Sequence, residues 1–184
     1  MRSQRVTSRA GGWSWSFEAV LASYLAVGAL LAAGPMPTGF APIAGIFPGV
    51  DAMARVAWDG SRVYWFWYGM LAVFPLALAL LGAFAPVILK PGASDDAATR
   101  STLLLGCLVF GFALLPALSY FVLFNPDVLK GYGRGARWLR AIPSDAFSLW
   151  FVGSMVMLAL LATTWMAFIA IPKAFLKLRA RPSA

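Results

Sequence analysis

The chain has 184 residues, 61% of them apolar and 12% charged, with 15 Lys and Arg against 7 Asp and Glu for a formal net charge of +8. A soluble domain is about half apolar and about a quarter charged, so the excess apolar surface must face something other than water. With no His and one Cys, the chain lacks the commonest metal ligand, the usual haem ligand, the commonest general base, and any intrachain disulfide or CxxC pair.

The charges are segregated. No Asp, Glu, Lys or Arg occurs within 19–50, 63–89, 101–126 or 146–172, and each gap exceeds the roughly 20 residues a helix needs to cross hydrocarbon. The expected fold class is all-α. It is a polytopic integral membrane protein with four transmembrane helices and two longer loops on the same side, which carry short interfacial helices. The whole chain, 1–184, reads as a single membrane domain.

In chain order, Arg2, Arg5 and Arg9 followed by an apolar run to "LLAAG" have the look of a secretory signal peptide. Pro35 directly after the small residues opposes cleavage, so the run is expected as a retained span over 17–33. Ser16 is the expected N-cap, with Glu18 in the first turn, where the helix dipole favours a carboxylate. Trp13 and Trp15 sit just outside, as interface anchors do. The connection 34–61 contains Pro35, Pro37, Pro42 and Pro48, which forbid a continuous helix, yet it is apolar and belongs at the membrane surface. A short helix is expected from Pro48 to Trp58, with Asp51 near its start and Arg55 near its end.

The second span is expected over 62–89, longer than hydrocarbon requires, with a kink at Pro75. Its start, "RVYWFWYGML", places Tyr64, Trp65, Phe66, Trp67 and Tyr68 in a row. Successive helical residues turn by about 100°, so five aromatics sweep the whole circumference. A pocket needs them on one face; a collar on every face suits the headgroup layer, and an aromatic collar at the membrane interface is the reading adopted.

The polar loop 90–100 supplies Ser94, Asp95 and Asp96 as a helix start, and the third span follows over 98–124, with Pro116 as a bend and Asn125-Pro126 as a stop. The loop 125–145 carries Lys130, Arg134, Arg137 and Arg140 against Asp127 and Asp145. The fourth span is expected over 146–171, started by Ser144 and Asp145 and ended by Pro172, before a basic tail over 172–184. No repeat of 20–50 residues is evident, which disfavours a repeat-built transporter.

Four spans put both termini on one side. That side holds Arg2, Arg5, Arg9, Lys90, Arg100, Lys173, Lys177, Arg179 and Arg181; the other holds Arg55, Arg62, Lys130, Arg134, Arg137 and Arg140. Nine cations against six favour cytoplasmic termini. The Ala-, Gly-, Trp- and Arg-rich composition resembles that of bacterial inner-membrane proteins, and the bacterial inner membrane is the expected location.

No carboxylate or base falls at hydrocarbon depth, where proton relays and coupled-ion sites require one. Cys107 has apolar neighbours and reads as packing. Small residues recur four apart at Cys107 and Gly111, at Ala113 and Ala117, and along Ala159, Thr163 and Ala167, a spacing that lets helices approach closely. Met70, Met155, Met157 and Met166 lack a ligand-ladder spacing and read as filling. "KGYGRGARWLR" is the best polar candidate. Lys130, Arg134, Arg137, Trp138 and Arg140 are the residues expected to contact lipid phosphate or an acidic partner, with Tyr132 beside them. "GYGRGA" is not a GxGxxG nucleotide loop.

No catalytic residue and no metal ligand is assigned: a dyad would have to come from Asp51, Asp59, Asp127 and Asp145 with Tyr or Ser of the same loops, and Asp59 near Arg62 and Asp51 near Arg55 look like local ion pairs or caps. The expected function is therefore a non-catalytic accessory or structural subunit of a larger inner-membrane complex, packing against partner transmembrane subunits and lipid. A small channel or transporter component is the alternative, and an interfacial lipid-modifying enzyme the third. Lipids are the expected ligands, with no cofactor bound through the chain's own His or Cys. Cations that flank membrane spans fit anionic lipid better than nucleic acid.

Overall fold

The computed structural model describes residues 14–41, 43–84, 96–130 and 134–179, and these contain helices and no strands. Arg2, Arg5, Arg9, Trp13, Pro42, Lys90, Ser94, Asp95, Tyr132 and Arg181 lie outside them, as do the side chains of Trp15, Ser16, Arg134 and Arg179. Six helices follow in order: α1 (Ser14–Ala33), α2 (Pro48–Val56), α3 (Gly60–Phe84), α4 (Ala97–Phe124), α5 (Arg134–Ala141) and α6 (Ala146–Leu178).

Three of them, α3, α4 and α6, are long and apolar enough to cross a membrane, where four spans were expected. In α1 the part whose side chains are described, Glu18–Ala33, forms a shorter apolar stretch. The N-cap expectation there is also corrected. The helix is already running at Ser14, so Ser16 lies inside it and Glu18 lies beyond the first turn, exposed. Helix α3 starts at Gly60 rather than Arg62 because Asp59 caps it, its carboxylate accepting from the Arg62 N–H at 3.0 Å. The expected end of this span, 85–89, lies outside the described residues.

The starts of the other long helices follow the same chemistry. The Asp96 carboxylate accepts from the Thr99 N–H at 2.6 Å to begin α4, and Asp145 accepts from the Ser148 N–H at 2.8 Å to begin α6. At the far end of α4, Asn125 turns extended (φ −85°, ψ 110°), as a residue before proline must. The end of α1 is closed by a cation instead, and a second cation reaches a carbonyl of α3. The Arg62 guanidinium donates to the Gly34 carbonyl just past α1, and the Lys173 ammonium donates to the Gly82 carbonyl in the last described turn of α3. Carbonyls at a helix C-terminus lack intrahelical donors and carry partial negative charge, so a cation there satisfies both needs.

Pro172 does not end the last helix, which continues to Leu178. A π turn over Met166–Ala170 absorbs it, with the Ile171 N–H bonded to the Met166 carbonyl. In that wider register the next donor, for the Ala167 carbonyl, would be the N–H that proline lacks. The Cys107 thiol of α4 supplies it across the helix pair, Sγ to Ala167 O at 3.2 Å. The same contact brings Gly111 against Ala167, so the Cys107 and Gly111 pair meets one member of the Ala159, Thr163 and Ala167 series here. Ala113, Ala117 and Ala159 are exposed, and Thr163 bonds back to its own helix at Ala159 O and Leu160 O. Two further π turns in α4, Leu108–Leu114 and Tyr120–Phe124, flank Pro116.

The core is the junction of α1, α3 and α6. Phe66, Trp67, Met70, Leu149, Met157 and Leu161 are fully buried in it. Lipid tails are as apolar as these side chains, so close fit and hydrogen bonds hold such helices together rather than escape from water. Gly153 shows the fit: a Cβ there would lie 2.6 Å from Phe66 Cε1, so only glycine lets the ring approach α6 this closely. Trp150 Nε1 donates to the Leu25 carbonyl at 3.1 Å and ties α6 to α1.

Candidate functional site

Both longer connections converge on one end of the bundle. Helix α2 lies on the end of α4, where Gly49 leaves room for the Val122 carbonyl and the rings of Phe47 and Phe124 meet at 5.6 Å. The Trp58 N–H donates to the Pro143 carbonyl at 3.1 Å, joining connection 34–61 to connection 125–145.

The aromatic run organises the first connection. Asp51, 6% exposed, accepts the Tyr64 hydroxyl at 2.7 Å and the Gly45 N–H at 2.9 Å. A carboxylate withdrawn from water is costly unless such donors replace its hydration. The Tyr68 hydroxyl donates to the Ile43 carbonyl, and Phe40 packs edge-on to Trp65 with centroids 5.2 Å apart. Phe66 and Trp67 point the other way, into the core. The five rings are therefore not an outward collar on every face. One side holds the loop, where Tyr64, Trp65 and Tyr68 stay half-buried, and the other holds α6, so protein takes positions that a free-standing helix would give to headgroups. The expected local pairing of Asp51 with Arg55 is corrected as well: Asp51 turns to Tyr64 and Gly45, and Arg55 is exposed. Asp59 does pair with Arg62, at 3.9 Å.

The basic candidates separate into two groups. Lys130 is held by Asp127 at 2.7 Å in an ion pair exposed on both sides, a contact worth little in water. Helix α5 is amphipathic. It buries Leu139, with Ile142 just beyond its end, and exposes Arg137, Trp138 and Arg140. Arg134 opens this helix, its side chain outside the described residues. Near its end Asp145 is exposed, and the Ser148 N–H together with the Ser144 and Ser148 hydroxyls holds its carboxyl below the usual range.

Beneath α5 runs a groove of about 440 Å³, walled by Leu118 and Phe121 of α4, Trp138 of α5, and Phe151, Met155 and Ala159 of α6. A second groove of about 420 Å³ lies between α1 and α3, with Tyr24, Leu76 and Phe84 in its walls. Its lining begins at Ala19, next to the exposed Glu18. Two buried polar atoms, Trp67 Nε1 and Ser154 Oγ, have no hydrogen-bond partner among the described residues, and neither residue lines either groove.

This arrangement binds apolar matter and presents cations above it. The sequence did not announce the Asp51–Tyr64 bond, the contacts of Arg62 and Lys173 with main-chain carbonyls, or the Cys107 contact. The signal for the first was the pair of tyrosines four apart, Tyr64 and Tyr68, which place two hydroxyls on one helix face. Compared with known proteins, the chain matches no family model, no curated protein and no solved structure.

Proposed function

We propose that the protein is a four-span, non-catalytic accessory subunit of a larger complex in a bacterial inner membrane, packed against partner transmembrane subunits and lipid. In this reading α1 is the fourth span, the termini are cytoplasmic, and the joined connections face the opposite side. The observation that carries it is the exposure of α4. Only 11% of its most apolar stretch is buried within the chain, against 28% for α3 and 44% for α6, and Phe112 is 80% exposed. A helix with so little of its surface used by its own chain is available to a neighbour. The aromatic and small residues along it suit helix packing. The apolar walls of both grooves offer no polar route for a solute along a single copy, which favours this reading over a channel.

Extraction from the native membrane in mild detergent, followed by native mass measurement, tests the proposal. The expected result is a particle containing this chain and at least one different membrane polypeptide. A lone chain would sink it, and a homo-oligomer that conducts solute in liposomes would establish the channel reading instead.

A further inference from the structure

We infer that the groove beneath α5 holds one acyl chain of an anionic phospholipid, whose phosphate is met by Arg137 and Arg140. The groove is lined only by apolar side chains, so it offers nothing to a polar ligand. Its α6 wall runs from Phe151 to Ala159, about 12 Å at 1.5 Å per residue, close to the roughly 15 Å of one leaflet. The slot therefore lies along the helix axis, as a lipid tail does. Its volume of about 440 Å³ is at the small end of ligand pockets, suited to a single chain.

Charge decides which lipid. One end of the slot is closed by α5, whose sequence RGARWLRA carries three arginines and no acid. Trp138 both lines the slot and is 60% exposed, the position of an indole at the headgroup boundary. Asp127 is paired with Lys130, and the one further acid beside α5, Asp145, is outnumbered by its three arginines, so this end stays cationic. The groove between α1 and α3 is of similar size but has Glu18 beside its first lining residue, where an anionic headgroup is repelled. The inference rests on the membrane reading above and not on the subunit reading, since it concerns this chain alone.

The test uses the purified full chain in vesicles of equal phosphatidylglycerol and phosphatidylcholine, stripped with detergent and weighed with its retained lipid by native mass spectrometry. The wild type is expected to retain phosphatidylglycerol in preference, and to lose that preference as salt rises. Replacing both cations (Arg137→Gln with Arg140→Gln) should cut the preference about tenfold or more, while a tail is still retained. Ala159→Trp, which fills the slot from its exposed edge, should abolish retention of either lipid. Equal retention of the two lipids by the wild type overturns the inference, and so does an unchanged preference in the double glutamine variant, whose surface positions leave the core untouched. A photo-cross-linker at residue 159 that captures a polypeptide instead of a lipid in native membranes also overturns it. Failure of the subunit proposal changes none of these readings.

Discussion

Helices α4 and α6 are both long, both apolar and both interrupted by π turns, yet they occupy the molecule in opposite ways. Of the most apolar stretch, 44% is buried in α6 and 11% in α4. Composition does not explain the difference. What separates them is surface texture. Helix α6 presents Gly153 to Phe66, Leu149 and Met157 to the core, and Ala167 to α4. Helix α4 uses mainly Gly106, Cys107 and Gly111 for α6, and Val122 and Leu123 near its end, while Leu104, Leu105, Leu108 and Phe112 face outward. In a solvent as apolar as the side chains, position follows from fit and hydrogen bonding, not from hydropathy.

The largest expected effect breaks that contrast directly. Gly153→Leu drives a branched side chain into the Phe66 ring and should destabilise the chain by about 3 kcal/mol, read as a lowered unfolding midpoint in mixed micelles. Ala113→Leu on the exposed face of α4 should change the isolated chain by no more than about 0.5 kcal/mol while weakening the native complex. Equal losses from both would mean that α4 packs into the chain's own core no less than α6 does.

Next comes the end where the connections meet. Tyr64→Phe removes one of two donors to a buried carboxylate and should cost about 2 kcal/mol. The same variant should speed proteolysis within 34–47, and an unchanged cleavage rate would show that Asp51 does not hold that segment. Smaller again, Cys107→Ala leaves the Ala167 carbonyl without its donor and should cost about 1 kcal/mol, whereas Cys107→Ser keeps a donor and should recover part of the loss. No difference between the two would reduce Cys107 to simple filling.

The smallest effect is a pH dependence at the start of α6. Asp145 has its carboxyl held below the ordinary value of 3.8, chiefly by the Ser148 N–H. Its contribution is therefore fully present above that value and is lost as pH falls through the lower folded one. Thermal midpoints should decline below about pH 4 in the wild type. The decline should be shallower in Asp145→Asn, which caps without titrating, and identical curves would show that Asp145 plays no part in it.

Much of the helical framework was legible because it depends on local chemistry. Charge-free gaps outlined the three long helices, Pro48 with Asp51 and Arg55 outlined α2, and Asp96 and Asp145 marked starts that the structure realises as caps. Some failures were local, as at the start of α1, and the largest involve partners distant in sequence. Pro172 should stop a helix taken alone, but a π turn, joined by a thiol donor 60 residues away, carries the chain through it. The aromatic run should ring an isolated helix with interface side chains, but connection 34–61 and α6 cover it from two sides. Of the basic candidates, α5 was legible as a cationic element. Its apolar groove was not, since its walls come from α4, α5 and α6 together.

The outward face of α4 is where the subunit proposal is most directly exposed to test. A photo-reactive side chain placed at Phe112, with a second at the exposed Phe168 of α6 for comparison, reports what covers each helix in the native membrane. Phe112 is expected to join reproducibly to one other membrane polypeptide, in higher yield than Phe168. Cross-links from Phe112 to lipid alone, at the same level as from Phe168, would contradict the proposal.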